Sequence, residues 1–268
     1  MLRQLLAKVG LLRNLIAWLG LVLMIASFVF WQIGFEPAVV RSQRHARVPG
    51  PFALVVLDAG HGGQDSGAMC GGVLEKDLTL DIAQRVDRLL QAQGIATLMT
   101  RIGDTYVSLN DRAAVTNRSP NCVFVSIHFN EGNKNNAAGV ETYYAEHQVT
   151  TPPAINSWLP FLQRASLEIP NTESQGLAGL IQEALVARTQ ATDRGTKTAN
   201  FFVIANVHHP AVLVEGGFLN NKEDVAKLMS WDYREQMAAA ISEGILRYRE
   251  VLQQRQATLA ETAPVRSE

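Results

Sequence analysis

The chain has 268 residues, enough for one domain of ordinary size with appendages. Its formal charge of -1 gives no electrostatic reason to expect nucleic acid as a partner, since such binders need a basic face. Only two cysteines occur, Cys70 and Cys122, so no disulfide framework holds the fold.

Residues 1–14 carry Arg3, Lys8 and Arg13 and read as a cytoplasmic n-region. Residues 15–31 form a run of seventeen without a charge. Extended through residue 35, the run reaches about 20 residues, enough to span a hydrocarbon core as a helix. Trp18 and Trp31 stand near its ends, where amphipathic rings favour the headgroup level. The segment reads as a retained transmembrane anchor, and a cleaved signal peptide is the alternative. Against cleavage, the stretch is longer than a usual h-region and no clear Ala-x-Ala site follows. Arg41, Arg44 and Arg47 balance the cations on the other side, so charge does not orient the span. Residues 36–51 read as a polar linker.

From Phe52 onward strand and helix patterns alternate. This predicts a single α/β domain over residues 52–254, a mixed, mainly parallel twisted sheet flanked by helices. Strands are expected at 54–57, 95–100, 123–127, 139–144, 200–204 and 211–214. A helix over 76–93 has Leu78, Leu80, Ile82, Val86, Leu89 and Leu90 on its apolar face, and Gly94 stops it. Ser108-Leu109-Asn110-Asp111 resembles a capping box that opens a helix through Asn117. Further helices are expected at 174–189, 221–229 and 232–254. If the strands beside Cys70 and Cys122 are parallel neighbours, the thiols lie ~15 Å or more apart. That exceeds disulfide reach, and both read as free.

Residues 146–173 are long for a connection in a compact domain. They carry Pro152, Pro153, Trp158, Leu159, Phe161 and Leu162. An irregular surface loop is the first reading and a lid the second, leaving the sheet on the side near the candidate site. Residues 255–268 have the composition of a disordered tail.

Chemistry gathers at four residues. Val55-Val56-Leu57-Asp58-Ala59-Gly60-His61-Gly62-Gly63 runs from a buried-type strand into a glycine turn that carries an imidazole. Val123-Phe124-Val125-Ser126-Ile127-His128 ends on a second one. Glu75 reaches in from the start of the next helix. Two histidines and a carboxylate form a catalytic zinc set: three protein ligands leave a fourth position open for water. Glu215, after Ala211-Val212-Leu213-Val214, is a carboxylate where burial is expected, and a further carboxylate can take a proton from that water. Each residue has a plainer alternative: a hydrogen-bonded structural histidine, a first-turn acid favoured by the helix dipole, a structural ion pair. On local spacing alone both readings stay open. His45, His147, His208 and His209 lack comparable settings, though His208 and His209 border the loop before the Glu215 strand and could line the pocket.

The order of motifs resolves this. Leu57-Asp58-Ala59-Gly60-His61-Gly62-Gly63 with Leu74-Glu75-Lys76-Asp77 resembles the zinc-dependent N-acetylmuramoyl-L-alanine amidases of bacterial cell-wall metabolism. The resemblance continues through Thr100-Arg101, Ser108-Leu109 with Arg112, Ser126-Ile127-His128-Phe129-Asn130 and Gly139-Val140-Glu141-Thr142-Tyr143-Tyr144. It closes with Arg194-Gly195-Thr196-Lys197 and the run Pro210 to Leu219, covering about residues 53–250 in order. Ala59 replaces a frequent proline and Gly216 a frequent leucine. The 146–173 insertion is the larger departure.

The resemblance implies one Zn2+ held by His61, Glu75 and His128, with Glu215 as the catalytic carboxylate. It implies cleavage of the amide bond between N-acetylmuramic acid and L-alanine in peptidoglycan, in cell-wall remodelling or daughter-cell separation. Asp58 either orients a ligand or holds its loop. Glu141 positions substrate or makes a structural hydrogen bond within its strand. Arg101, Arg194 and Lys197 either meet peptide carboxylates or form scaffold ion pairs. In some relatives a helix inserted at 146–173 restrains activity until a partner removes it, which makes an activator protein acting on this insertion a candidate partner. Because peptidoglycan lies outside the cytoplasmic membrane, the expected arrangement is an inner-membrane anchor with the catalytic domain in the periplasm or cell-wall space. Secretion after signal cleavage is the alternative. Two rival functions remain: a zinc peptidase acting within stem peptides, and a non-catalytic peptidoglycan-binding module, which has no need of Glu215.

Overall fold

The computed structural model describes residues 18, 20–24, 51–132, 137–148 and 171–262. The chain divides into two compact units, Met1–Val48 and Pro49–Glu268. In the first, Trp18 and residues 20–24 are helical and exposed. Among the described residues no helix is long and apolar enough to cross a membrane. The rest of the expected 15–35 anchor lies outside them, as do the n-region and nearly all of the linker.

The second unit is built on a six-stranded sheet. Strand β1 (Leu54–Ala59) leads through a small hairpin, β2 (Met69–Cys70) and β3 (Val73–Leu74), into helix α1 (Glu75–Ala92). Then come β4 (Ala96–Met99), α2 (Leu109–Arg118), β5 (Cys122–Asn130) and β6 (Val140–Tyr144). The chain continues with α3 (Thr172–Thr189), β7 (Asp193–Thr198), α4 (Phe202–Ala205), β8 (Ala211–Phe218), α5 (Lys222–Met229) and α6 (Trp231–Thr262). The strand order is β4-β1-β5-β8-β6-β7. β4, β1, β5 and β8 run parallel, whereas β6 pairs antiparallel with β8 and β7 follows β6.

Both faces of the central strands are covered, so their sequences are near-continuous apolar runs. One face packs a large core against α1, α3 and α6, with Leu78, Ile82, Val86 and Leu90 of α1 buried at four-residue spacing. Gly94, at φ +72°, ends α1 as expected. Gly94 N donates to Gln91 O and Ile95 N to Leu90 O, the paired bonds of a Schellman cap. The second face has a smaller core around Val56, Phe124, Val203, Ile204 and Leu213, with Ala113 of α2. Ser108 caps α2 by accepting from Asp111 N at 3.2 Å.

Several expectations are corrected. Residues 202–205 are a short helix, not part of a strand; a four-residue apolar run is ambiguous by periodicity, and the neighbouring sheet edge is taken by β7. β7 went unread because Asp-Arg-Gly-Thr-Lys-Thr is polar, a composition suited to an edge strand. Gly71 and Gly72 both have positive φ and turn the β2–β3 hairpin, two short strands that the sequence reading did not include. The last helix does not end at Gln254. It runs to Thr262 through helix-forming Gln, Ala, Leu and Glu, with Pro264 the first breaker, so 255–262 are helix rather than tail. Residues 263–268 lie outside the described residues. Both cysteines are free, as expected.

The 146–173 insertion is also corrected in place. β6 ends at Tyr144, opposite Val212 near the start of β8, because the two strands are antiparallel. Asn171 N donates to Glu146 O, and Asn171 Nδ2 to Ala145 O. The insertion therefore leaves and returns at the end of the sheet away from Glu215. Residues 149–170, which carry the expected lid cluster, lie outside the described residues.

Helices α3 and α6 cross at Gly244, where an added Cβ would stand 2.5 Å from Ile181 Cα. In an exposed helix Gly→Ala stabilises by up to ~1 kcal/mol. Here the clash is with backbone, so Gly244→Ala is expected to destabilise the fold by ~1–3 kcal/mol, read as a lower denaturant midpoint with unchanged slope.

Candidate functional site

The site begins where β1 stops. Asp58 is fully buried and accepts from Arg112 Nη1 at 2.5 Å, Thr100 Oγ1 at 2.6 Å and Ser126 Oγ at 2.7 Å. Arg112 also donates to the carbonyls of Ala59 and His61, both at 2.7 Å. Arg101 adds bonds to Ala59 O at 2.9 Å and Gly60 O at 2.8 Å. Three successive carbonyls are thus held, and His61 is kept at φ +59°, a conformation non-glycine residues rarely adopt. Asp58 makes no bond to a candidate ligand side chain; it anchors the strand end. Arg101 serves the same scaffold and meets no open surface.

β5 lies beside β1, with Ala59 paired to Ile127, so His61 and His128 emerge together. Their rings meet edge to face with centroids 4.9 Å apart. Glu75, the first residue of α1 and 3% exposed, reaches between them. Its Oε1 lies 3.0 Å from His61 Nε2 and 3.0 Å from His128 Nδ1, and accepts from Phe129 N at 3.0 Å. Its Oε2 accepts from Ala68 N at 2.8 Å. The three candidate ligand atoms lie within 4.8 Å of one another. Two glycines make room: a Cβ at Gly60 would stand 2.3 Å from His128 Cε1, and one at Gly67 2.5 Å from Glu75 Oε2.

Glu215 comes from the next strand, paired with His128 on one side and Glu141 on the other. As a residue it is half-buried, yet its Oε2 is shielded from solvent and has no hydrogen-bond partner among the described residues. Burial, then the charges of Glu75 and Glu141, push its carboxyl well above the ordinary range. Glu75 goes the other way: burial raises it, but hydrogen bonds from His128 and His61 outweigh burial and hold it well below that range. Glu141 is buried and bonded by Arg194, Lys197, Tyr143 and Asn130. Burial would raise its carboxyl too, but Lys197, Tyr143 and Arg194 hold it down. Its bonds reach well beyond its own strand, more than the expected structural contact.

His208 and His209 do not line this pocket. They precede β8 at the opposite end, before Ala211, which itself stands about 13 Å along the strand from Glu215. Asp65, by contrast, escaped the sequence reading. His61 Nδ1 lies 2.9 Å from Asp65 Oδ2, and Asp65 Oδ1 accepts from Gly67 N at 3.1 Å. With Nδ1 donating to Asp65, the Nε2 lone pair is left for a metal. The available signal was its place four residues after His61 in the glycine loop.

A family model described as N-acetylmuramoyl-L-alanine amidase matches residues 55–247, which include all of these side chains. The chain belongs to the N-acetylmuramoyl-L-alanine amidase family. It is 37% identical to the amidase LytC of Bacillus subtilis over 220 residues, 82% of this chain and 40% of LytC. It is 30% identical to the germination-specific N-acetylmuramoyl-L-alanine amidase of the same organism over 210 residues, 73% of this chain and 79% of that protein. The crystal structure of an N-acetylmuramoyl-L-alanine amidase from Clostridium difficile 630 superposes with TM-score 0.63 at 34% identity, covering 75% of this chain and 98% of that one. The chain thus spans less than half of LytC but nearly all of the solved amidase.

Within the amidase fold the departure at Gly216 has a local reason. A Cβ there would stand 2.8 Å from both Phe129 Cε1 and Met237 Sδ, so these larger neighbours occupy the space of a side chain. We expect Asp65→Ala to weaken the affinity of the His61, Glu75 and His128 group for a divalent metal by about 10–100-fold, as loss of an outer partner to a ligating histidine does. Competition against a chromogenic chelator measures this, and unchanged affinity would remove Asp65 from the site.

Proposed function

We propose that the chain hydrolyses the amide bond between the lactyl group of N-acetylmuramic acid and the L-alanine of the stem peptide, in cell-wall remodelling or daughter-cell separation. The observation that carries this reading is the convergence of His61, Glu75 and His128 beside a shielded, unpartnered carboxylate oxygen of Glu215. The donor set fits zinc. Two ligands at ~2.1 Å in a tetrahedral site stand about 3.4 Å apart, close to the 3.0 Å between Glu75 Oε1 and each imidazole nitrogen. His61, Glu75 and His128 would hold the ion, which supplies a Lewis acid for the amide carbonyl and lowers the pKa of water.

The chain's own groups do the rest. Glu215 takes a proton from the attacking water and delivers it to the departing L-alanine nitrogen. Burial, with the charges of Glu75 and Glu141, raises its affinity for that proton. Asp65 orients His61, and the Arg101 and Arg112 bonds keep the loop rigid, so little reorganisation is needed at the moment of reaction.

The substrate lies outside the cytoplasmic membrane, which puts residues 52–254 in the periplasm or cell-wall space, held by the 15–35 segment as an inner-membrane anchor. The charge-free run supports the anchor. An activator protein is a further part of this reading. A solved relative, the CwlD amidase from Clostridioides difficile in complex with the GerS lipoprotein, is 27% identical with TM-score 0.63 and supports it.

The test is incubation of the purified chain on peptidoglycan, with and without zinc, followed by mass analysis of the soluble products. Free stem peptides with an L-alanine amino terminus, lost on chelation, are expected. Shortened peptides with the muramic acid linkage intact would make the chain a peptidase instead. Glu215→Gln is expected to keep zinc and lower kcat by about 10²–10⁴-fold. His61→Ala or His128→Ala should lose both metal and turnover. Retained hydrolysis in the Glu215 variant would remove it from the mechanism.

A further inference from the structure

The reaction as described leaves a cationic pair beside Glu215 unused. Glu141 stands opposite Glu215 in the β6–β8 ladder, and its Oε2 accepts from both Arg194 Nε, at 2.7 Å, and Lys197 Nζ. Its Oε1 accepts from Tyr143 Oη at 2.7 Å and Asn130 Nδ2 at 2.9 Å. Neutralising one buried carboxylate requires one cation. Against Glu141 alone two cations carry one positive charge in excess, and both cations face solvent: the side chains of Arg194 and Lys197 are 32% and 37% exposed, that of Glu141 only 2%.

Arg194 is also set in orientation. Its Nε is engaged by Glu141, and its guanidinium lies 4.8 Å from the centroid of the Phe218 ring. The terminal nitrogens have no hydrogen-bond partner among the described residues. A guanidinium fixed on one edge and open on the other presents parallel N–H groups to a planar anion, the geometry in which arginine grips a carboxylate. Lys197 lies beside it, 5.8 Å from the Tyr143 ring, which packs against Phe201.

Distance selects the anion. β8 carries the candidate base, and β7 lies two strands away, about 10 Å at the usual strand spacing. A stem peptide leaving the scissile amide advances about 3.3–3.6 Å per residue, so the residue after L-alanine brings a carboxylate to about 7 Å, within reach of a long arginine side chain. We propose that Arg194, assisted by Lys197, binds the free carboxylate of the stem residue that follows L-alanine and so makes this chain selective for stems in which that group is not amidated. The proposal rests on the amidase reading above. Glu141 is then a positioning residue that holds both cations toward the peptide.

The experiment compares two soluble N-acetylmuramyl tripeptides that differ only in a carboxylate or carboxamide on the second residue, with peptidoglycan cleavage measured in parallel. Wild type is expected to favour the carboxylate by about tenfold or more in kcat/KM. Arg194→Gln should bring that ratio to about twofold or less, and Arg194→Lys, which keeps the charge but not the fork, should restore part of it. Equal rates on the two tripeptides in wild type overturn the subsite. So does an Arg194→Gln variant that loses activity on both alike with the ratio preserved, because Arg194 then acts only by supporting Glu141. A wild type inert on peptidoglycan as well overturns the amidase reading itself and the subsite with it.

Discussion

Arg112 decides where β1 stops, and the site depends on that ending. A buried guanidinium and a buried carboxylate each lose several kcal/mol of hydration, so a pair such as Arg112 and Asp58 survives only when nearly every donor and acceptor is used. That condition is met here. Arg112 bonds Asp58 and the carbonyls of Val107, Ala59 and His61, while Thr100 and Ser126 complete Asp58. The bond to the His61 carbonyl also offsets the ~1–2 kcal/mol that a left-handed backbone costs a residue with a Cβ. Removing the pair would free the turn that aims the imidazole, which is why two residues that touch no candidate ligand side chain belong to the site.

The parallel part of the sheet does the remaining placement. Strands β1, β5 and β8 end side by side, about 4.8 Å apart, so His61, His128 and Glu215 form a row without any long-range adjustment. Glu75 arrives from the other direction, through a hairpin whose glycines let the chain fold back onto the start of α1. Close approach of two rings and a carboxylate leaves no space for a methyl group at Gly60 or Gly67. The glycines near this site therefore serve clearance as much as turning.

Reversal of β6 shapes the outer half of the molecule. It brings Glu141, near the start of the strand, to the catalytic end, and sends both ends of the 146–173 connection to the other. A parallel β6 would have done the opposite: the insertion beside the metal site and Glu141 at the far edge. One strand direction thus separates a charged surface beside the base from both ends of the long insertion.

The amino-acid sequence by itself determined the local events: the apolar runs that become buried strands, the Gly94 stop of α1, the Ser108 cap, the imidazoles at strand ends and the carboxylate after Val214. Each follows from residues a few positions apart, whose preferences act before any distant part of the chain arrives. The tertiary structure decided what depends on neighbours far away in sequence. Asp58 became an anchor because Thr100, Arg112 and Ser126 meet it from three other segments. Asp65 became a partner of His61 through the course of a glycine loop that no periodicity describes. His208 and His209 were carried away from the pocket, and residues 202–205 became helix, because strand direction and edge position are set by pairing across the sheet. Periodicity says that a segment can be a strand. Only the assembled ladder decides which way it runs and which of its ends meets the site.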